Sequence, residues 1–390
     1  MVAVSGAQAA DAVVVEAEPV EYVRICDAYG TGFFYIPGTE TCLKLSGYVR
    51  SHYVKEDETD AANVSDDNML WAVRARLNFD ARNETDWGTV RSQIRLQGSQ
   101  QNGDGISTAA QTTALINDHT HAVQGGVELD RALISIDSGS GMFRIGQSDN
   151  YWTTNHGYGG ANWTQGLGIN VFDDGSYGFS NNIFMDYTFS ADALAFTIGV
   201  EDRQENVTNN GGTNGSGSFY AGVNYSADWG GAAFTYAAYD GTAVAAAAAT
   251  ATTAAVTASD NRGDAYKASI NFNLSDMIPG GSFHAIYRWE DLDNEAVGGH
   301  TPYVGADSVL QLAFNMDLTD TLGFTALYVD TDNDNVGTGN DSEQWTAGLS
   351  WRPVSGLNIF GSYTSADVEN QAGVSQGEYD SFVIGVVRSF

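Results

Sequence analysis

From about Thr41 onward the chain repeats one pattern, roughly ten residues alternating apolar and polar followed by a turn or a polar connection. Trp71, Val73, Ala75, Leu77 and Phe79 alternate with Ala72, Arg74, Arg76, Asn78 and Asp80. Just before them, Leu43, Leu45, Val49 and Tyr53 oppose Lys44, Ser46, Arg50 and His52. A period of two sends successive side chains to opposite faces of a strand, and no helix reproduces it. The pattern returns at Val90 to Gly98, Val127 to Asp137, Met142 to Ser148, Asn182 to Phe189, Leu194 to Asp202 and Phe219 to Ser226. It continues through Ala232 to Asp240, Ala265 to Leu274, Ser282 to Glu290, Ser308 to Asp317, Leu322 to Asp330, Ser342 to Trp351, Leu357 to Thr364 and Tyr379 to Phe390. The chain is therefore expected to be all-β with an even strand count of about 16. Its 45 Gly, 18 Phe, 19 Tyr and 8 Trp against 5 Pro agree with many strands joined by turns.

Connection lengths alternate as strictly as the side chains do. Asp137 to Gly141, Ser190 to Ala193, Ala227 to Gly231 and Arg352 to Gly356 are short and rich in turn formers. Gln100 to Gly125, Asp149 to Asn181, Arg203 to Gly217, Gly241 to Gly263, Asp291 to Asp307 and Thr331 to Asp341 are long. Short turns at one rim and long loops at the other are the plan of an outer-membrane barrel. A barrel is also the only spanning structure left, because the one long uncharged run, Gly241 to Ser259, is Ala and Thr and too weakly apolar for a membrane helix. That run reads as a low-complexity loop. The fold expected is a 16-stranded antiparallel transmembrane β-barrel. Trp71, Tyr53, Tyr187, Tyr225, Trp289 and Trp351, near strand ends, suit aromatic girdles at the two interfaces.

Charge narrows the function. Asp and Glu number 49 against 17 Lys and Arg, a formal charge of -32 that repels a phosphate backbone, so no nucleic-acid partner is expected. Acidic stretches such as Lys55 to Asp67 and Asp330 to Glu343 read as solvated loops. Within the first strands Lys44, Arg50, Arg74, Arg76, Arg91, Arg95, Arg131 and Arg144 all fall on the polar parity, which a closed barrel turns inward. Arg or Lys on the lipid side would cost about 2–4 kcal/mol at the midplane. Arg74, Arg76, Arg91 and Arg95, on adjacent strands, are expected within several Å of one another. The compensating carboxylates are expected from the connection Asp149 to Asn181, whose Asp149, Asp173 and Asp174 would face the cations across the lumen and set a transverse field. The bland alternative is that these cations offset acidic neighbours.

The only cysteines, Cys26 and Cys42, have no His spaced to share a metal with them, which leaves one disulfide in an oxidising compartment or two free thiols. Ala7-Gln8-Ala9 before Ala10-Asp11 is similar to the small-residue end of a signal peptide, placing an expected mature terminus near Ala10. The expected organisation is thus 1–10 residual signal-peptide end, 11–40 periplasmic segment and 41–390 barrel.

The segment Glu21 to Arg50, EYVRICDAYGTGFFYIPGTETCLKLSGYVR, with both cysteines and the Phe-Tyr-Ile-Pro-Gly-Thr-Glu-Thr run, resembles the start of the porin family of rhizobial alphaproteobacteria. The likeness runs more loosely to the terminal Phe390, the residue on which outer-membrane barrels commonly end. The resemblance implies a homotrimer in the bacterial outer membrane, in contact with lipid and lipopolysaccharide. It also implies a water-filled pore in each subunit, narrowed by an inward-folded third loop, for passive diffusion of ions and small hydrophilic solutes. The competing reading is an outer-membrane barrel that serves as adhesin or ligand-binding surface protein.

No catalytic, cofactor or metal site is expected. The chain has no GxSxG, Walker or HExxH motif. Asp332, Asp334, Gly337, Asn340 and Glu343 fit a calcium-loop spacing, but Val336 stands where an oxygen ligand belongs and no helices flank it, so a solvated outer loop is the competing reading. His119 and His121 share a loop without a third ligand. His284 sits on an inward parity, and nothing marks a serine to go with it.

Overall fold

The computed structural model describes residues 24–60, 65–103, 126–149, 151–156, 181–202, 218–239, 263–292, 308–332, 340–370 and 375–390. A short strand, β1 (Phe33–Tyr35), precedes sixteen long ones: β2 (Cys42–Asp60), β3 (Ser65–Thr85), β4 (Gly88–Gly103), β5 (Glu128–Asp137), β6 (Gly141–Asp149), β7 (Asn181–Ala191), β8 (Leu194–Asp202), β9 (Ser218–Ala227), β10 (Gly230–Tyr239), β11 (Gly263–Asn273), β12 (Ser282–Leu292), β13 (Ser308–Asp317), β14 (Leu322–Asp332), β15 (Asn340–Val354), β16 (Leu357–Asn370) and β17 (Ser375–Ser389). Each of β2 to β17 pairs antiparallel with its sequence neighbour, and β17 pairs back onto β2 from Gly377↔Asp60 to Ser389↔Tyr48. Closure satisfies every strand edge, as a bilayer requires. At the seam Phe390 and Gly47 exchange two backbone hydrogen bonds of 3.0 Å.

The faces sort by parity. Leu45, Val49, Trp71, Val73, Leu77, Ile94, Phe196, Ile198, Leu349, Phe382 and Ile384 are exposed on the outside, where they form the lipid-facing belt. Aromatic pairs mark its rims. Tyr53 meets Trp71 edge-on at 5.9 Å and Tyr266 stacks on Trp289 at 5.2 Å at the long-loop end, while Trp229 packs 5.6 Å from Phe272 at the short-turn end. Amphipathic rings favour such interfacial positions.

Four strands run further than hydrophobic patterning indicates. The acidic stretch from Lys55 to Asp67, expected as a solvated loop, continues β2 and β3 to Asp60 and from Ser65, with pairing as far as Thr59↔Ser65. Asp330 to Asp332 and Asn340 to Glu343 likewise lie in β14 and β15. Antiparallel hydrogen bonding needs no apolar side chains once the ladder has left the hydrocarbon.

One irregularity decides which side chains enter the lumen. Between β4 and β5 the register runs Gln97↔Glu128 and Leu96↔Leu129, then jumps to Arg95↔Arg131, leaving Asp130 as an extra residue. Val127 and Leu129 face outward before this bulge and Ile134 after it. Strict alternation would put Arg131 on the face of Val127 and Leu129. The bulge reverses the phase, so that Asp130 and Arg131 both turn inward.

Cys26 and Cys42 form a disulfide with a Cα–Cα distance of 5.9 Å, and both are buried with Phe33, against which Tyr29 and Tyr35 pack. The lobe also pairs with the wall through β1 and β2, Phe33↔Lys44 to Tyr35↔Cys42. Tyr29 donates to the Glu84 carboxylate at 3.0 Å, and burial together with that bond pushes its phenol up to about 12. The disulfide closes a sequence separation of 16, worth about 3 kcal/mol by loop entropy. Replacing both cysteines by Ser should lower the temperature at which the barrel loses its compact gel mobility, while the unreduced wild type should show no titratable thiol. The expected signal-peptide end, residues 1–10, and the first part of the 11–40 segment lie outside the described residues.

Candidate functional site

The inward faces of β2 to β7 carry a wall of cations whose partners lie mostly on the same wall. Asp80 of β3 receives Arg82 and Arg91, each at 2.7 Å. Arg95 binds the bulge residue Asp130 and also Asp149 at 3.2 Å, and Arg131 reaches Asp149 at 2.6 Å. Arg76 stands 3.6 Å from Asp130, donates to Gln97 at 2.8 Å and lies over the Tyr48 ring at 5.3 Å. Arg144 pairs with Asp186 of β7, which also accepts the Tyr220 hydroxyl at 2.9 Å. Arg74 donates to Ser99 at 3.0 Å, and Arg50 lies 5.9 Å from the Phe360 ring. Lys44 stands 5.8 Å from the Phe33 ring of the N-terminal lobe.

The cations are strung along the wall rather than gathered in one cluster. Arg82 faces Arg91 near the short turn, whereas Arg74 faces Ser99 and Arg76 faces Gln97. Eight residues of strand separate Arg74 from Arg82, about 26 Å. Arg74 and Arg91 therefore stand at different depths, and of the four expected neighbours it is Arg76 and Arg95 that meet, at Asp130.

Asp149 does not face the cations across the lumen. As the last residue of β6 it is two strands from Arg95 and on the strand next to Arg131, so its carboxylate closes onto the cation wall itself. Asp173 and Asp174 lie outside the described residues. So do His119, His121 and residues 333–339 of the expected calcium loop, of which Asp332 and Glu343 are strand residues.

Past Asp149 the chain leaves the wall and enters the barrel. A single helical turn, α1 (Tyr151–Thr154), places Tyr151 stacked on Tyr220 of β9 at 5.8 Å and buries Trp152 completely. Lys267 of β11 lies 5.3 Å from the Trp152 ring. Asn155 donates to Thr235 of β10 at 2.9 Å, and His156 shares hydrogen bonds with Thr235 at 2.9 Å and Ser269 of β11 at 2.7 Å. Tyr220, Thr235 and Lys267 are buried on inward faces, three, four and five strands around the ring from β6. The start of the third long connection thus lies inside the ring and links the cation wall to a second wall three to five strands away.

Charge is unevenly spread around the ring. On the second wall Lys267 and, on β12, Arg288 and Glu290 are buried, the last two paired at 3.0 Å, with His284 inward beside them. The inward faces of β13 to β16 instead present Val309, Gln311, Ala313, Thr325, Leu327, Gln344, Thr346, Ser362 and Thr364. Asp80, Asp130, Asp186 and Arg82 were not among the residues singled out from sequence. Each acid sits on an inward position of a strand that also carries or adjoins an arginine, which is the signal that could have found it.

Residues 11–381 match the model of a porin subfamily. Porin Omp2a of Brucella ovis is 36% identical over 243 residues, 59% of this chain and 64% of that protein. Porin Omp2b of Brucella abortus is 33% identical over 59% of this chain and 60% of its own length. The matched region therefore spans less than two thirds of these relatives. Among solved structures, the outer membrane channel DcaP of Acinetobacter baumannii superposes with a TM-score of 0.64 at 14% identity, covering 91% of this chain and 99% of its own. A mutant of Rh. blastica porin gives 0.51 at 15%, covering 89% and 100%. At such identities the likeness speaks for the fold.

Proposed function

This chain belongs to the porin family, and from that premise we propose that it forms a water-filled channel across the bacterial outer membrane for passive diffusion of ions and small hydrophilic solutes. One observation carries the reading: the sheet closes on itself with a broad belt of exposed aliphatic and aromatic side chains outside, while its inward faces carry arginine, carboxylate, amide and hydroxyl groups beside one apolar patch that includes Val54, Val309, Leu327, Phe360 and Val383. A ring of sixteen strands is wide enough to leave an aqueous lumen after side chains are accommodated. The chain segment from Asp149 to His156 narrows that lumen and supplies both of its walls with fixed polar partners. A channel of this kind acts by size and field rather than by bond making, so we read the chain as a conduit and not an enzyme.

The external partners under this reading are membrane lipid and lipopolysaccharide along the apolar belt, and further copies of the chain in a homotrimer. Purified protein reconstituted in planar bilayers should give discrete, ohmic conductance steps in potassium chloride, and light scattering in mild detergent should report three chains per particle. Silent bilayers with folded, heat-modifiable protein would overturn the channel; a monomer in mild detergent would overturn the trimer. The reversal potential in a salt gradient reads the sign of the field at the narrowest point.

A further inference from the structure

We infer that the short-turn mouth of the barrel holds a binding site for a small, doubly charged anion, built by Lys44, Arg82 and Arg91 beneath the rings of Tyr29 and Phe33. A cavity of about 420 Å³ opens there between the N-terminal lobe and the inward faces of β2, β3 and β4. That volume falls within the range of small-molecule sites, roughly 300–1,000 Å³. Its charged lining is Lys44, Asp80, Arg82, Arg91, Arg95 and Arg131.

The charges do not balance. Arg95 and Arg131, at the inner edge, are matched by Asp130 and Asp149. Arg82 and Arg91 share the single carboxylate of Asp80, and Lys44, which pairs across the strands with Asp80 in register, makes no ion pair among the described residues. Three cations face one carboxylate in the lining, and the nearby Glu84 carboxylate is engaged by the Tyr29 hydroxyl at 3.0 Å, so the lining itself keeps an excess of positive charge. The Arg82 and Arg91 side chains keep 26% and 33% of their surface exposed, so each guanidinium retains donors beyond those given to Asp80. The lobe closes the other side: Arg82 lies 5.0 Å from the Phe33 ring and 5.7 Å from the Tyr29 ring. Aromatic walls thin the water around the cations and strengthen their pull on an anion. Forked guanidinium donors beside a lysine suit a compact group with several acid oxygens, such as sulfate, phosphate or a small dicarboxylate, better than a single carboxylate.

The site also gives the disulfide lobe a purpose, since Cys26 and Cys42 hold Phe33 and Tyr29 over the cations. Its bearing on solute passage rests on the channel reading; the binding itself rests on the fold. The test is equilibrium dialysis of the full chain in detergent with radiolabelled sulfate and with inorganic phosphate at pH 8, at low ionic strength, with acetate as competitor. The expected result is saturable binding of one anion per barrel. It should weaken at least tenfold in Lys44→Gln and in Arg91→Gln, stay unchanged in Arg352→Gln, and resist acetate at equal concentration. Heat-modifiable mobility identifies folded variants, and Lys44→Gln removes no ion pair. Absence of saturable sulfate and phosphate binding, wild-type affinity in either mouth variant, or acetate competing as well as sulfate would each overturn the proposal. Chloride conductance of the same preparation is read separately: conductance without sulfate or phosphate binding sinks this site alone, and binding without conductance sinks the channel.

Discussion

Replacing Asp130 and Asp149 together by Asn is expected to drive the pore strongly towards anions. The two carboxylates hold Arg76, Arg95 and Arg131, and both side chains are almost wholly buried, so their loss removes two negative charges from beside three guanidinium groups at one depth of the lumen. Each removed charge acts on a passing ion a few Å away through a medium between bulk water and the protein wall, worth about 1–4 kcal/mol at contact. Part of that is screened, yet a several-fold rise in the chloride-to-potassium permeability ratio should survive at low salt. Replacing Arg74 and Arg76 by Ser should move the reversal potential the other way and raise conductance. Reversal potentials in a tenfold salt gradient decide the matter. If both double variants keep the wild-type value at low salt, these residues do not line the path that ions take.

A second large effect is expected where the third connection meets the far wall. Trp152 is fully buried, and truncation of such a ring to Ala costs about 3–5 kcal/mol of local packing. His156 adds two hydrogen bonds to Thr235 and Ser269. With Trp152→Ala and His156→Ala combined, the segment should detach from β10 and β11, and single-channel conductance should rise and become noisy. The strands should remain intact, because their ladders do not involve α1. Unchanged conductance in the folded double variant would show that the crossing segment does not limit flow.

The strands were legible because a period of two over many residues has one structural solution, and the barrel because alternating short and long links have few others. The ends of β2 and β3 were not. Lys55 to Asp67 is too polar to bury, and hydrogen bonding between backbones leaves no mark on side-chain pattern. The bulge at Asp130 was hidden for a related reason: one extra residue looks like a lapse in alternation, although two charged neighbours, Asp130 and Arg131, inside a strand were a trace of it. Parity marks the cations of β2, β3, β4 and β6 as inward, whereas Arg131 of β5 turns inward only through the bulge. Which carboxylates meet them was not legible, because Arg95 and Asp149 are 54 residues apart and their contact depends on where β6 stops. A loop acid imagined opposite the cations proved to be a strand-end acid among them. The anchoring of Asn155 and His156 to Thr235 and Ser269 is longer-ranged still, and no local pattern foreshadows it.

The seam between β17 and β2 sets the order of events in making this molecule. It joins residues more than three hundred positions apart, as in the 2.9 Å bond from the Tyr379 hydroxyl to Glu56, and it pairs the first long strand of the barrel with its last. Until that strand arrives, β2 and the most recent strand both present bare ladders, which hydrocarbon does not tolerate. No intermediate with fewer strands can therefore rest in the bilayer as a smaller copy of the product. Closure has to wait until β17 is present, and closing so long a loop makes this step slow. A lesion in β17 would accordingly cost the whole barrel, whereas one of the same size in an outer loop would cost only a loop.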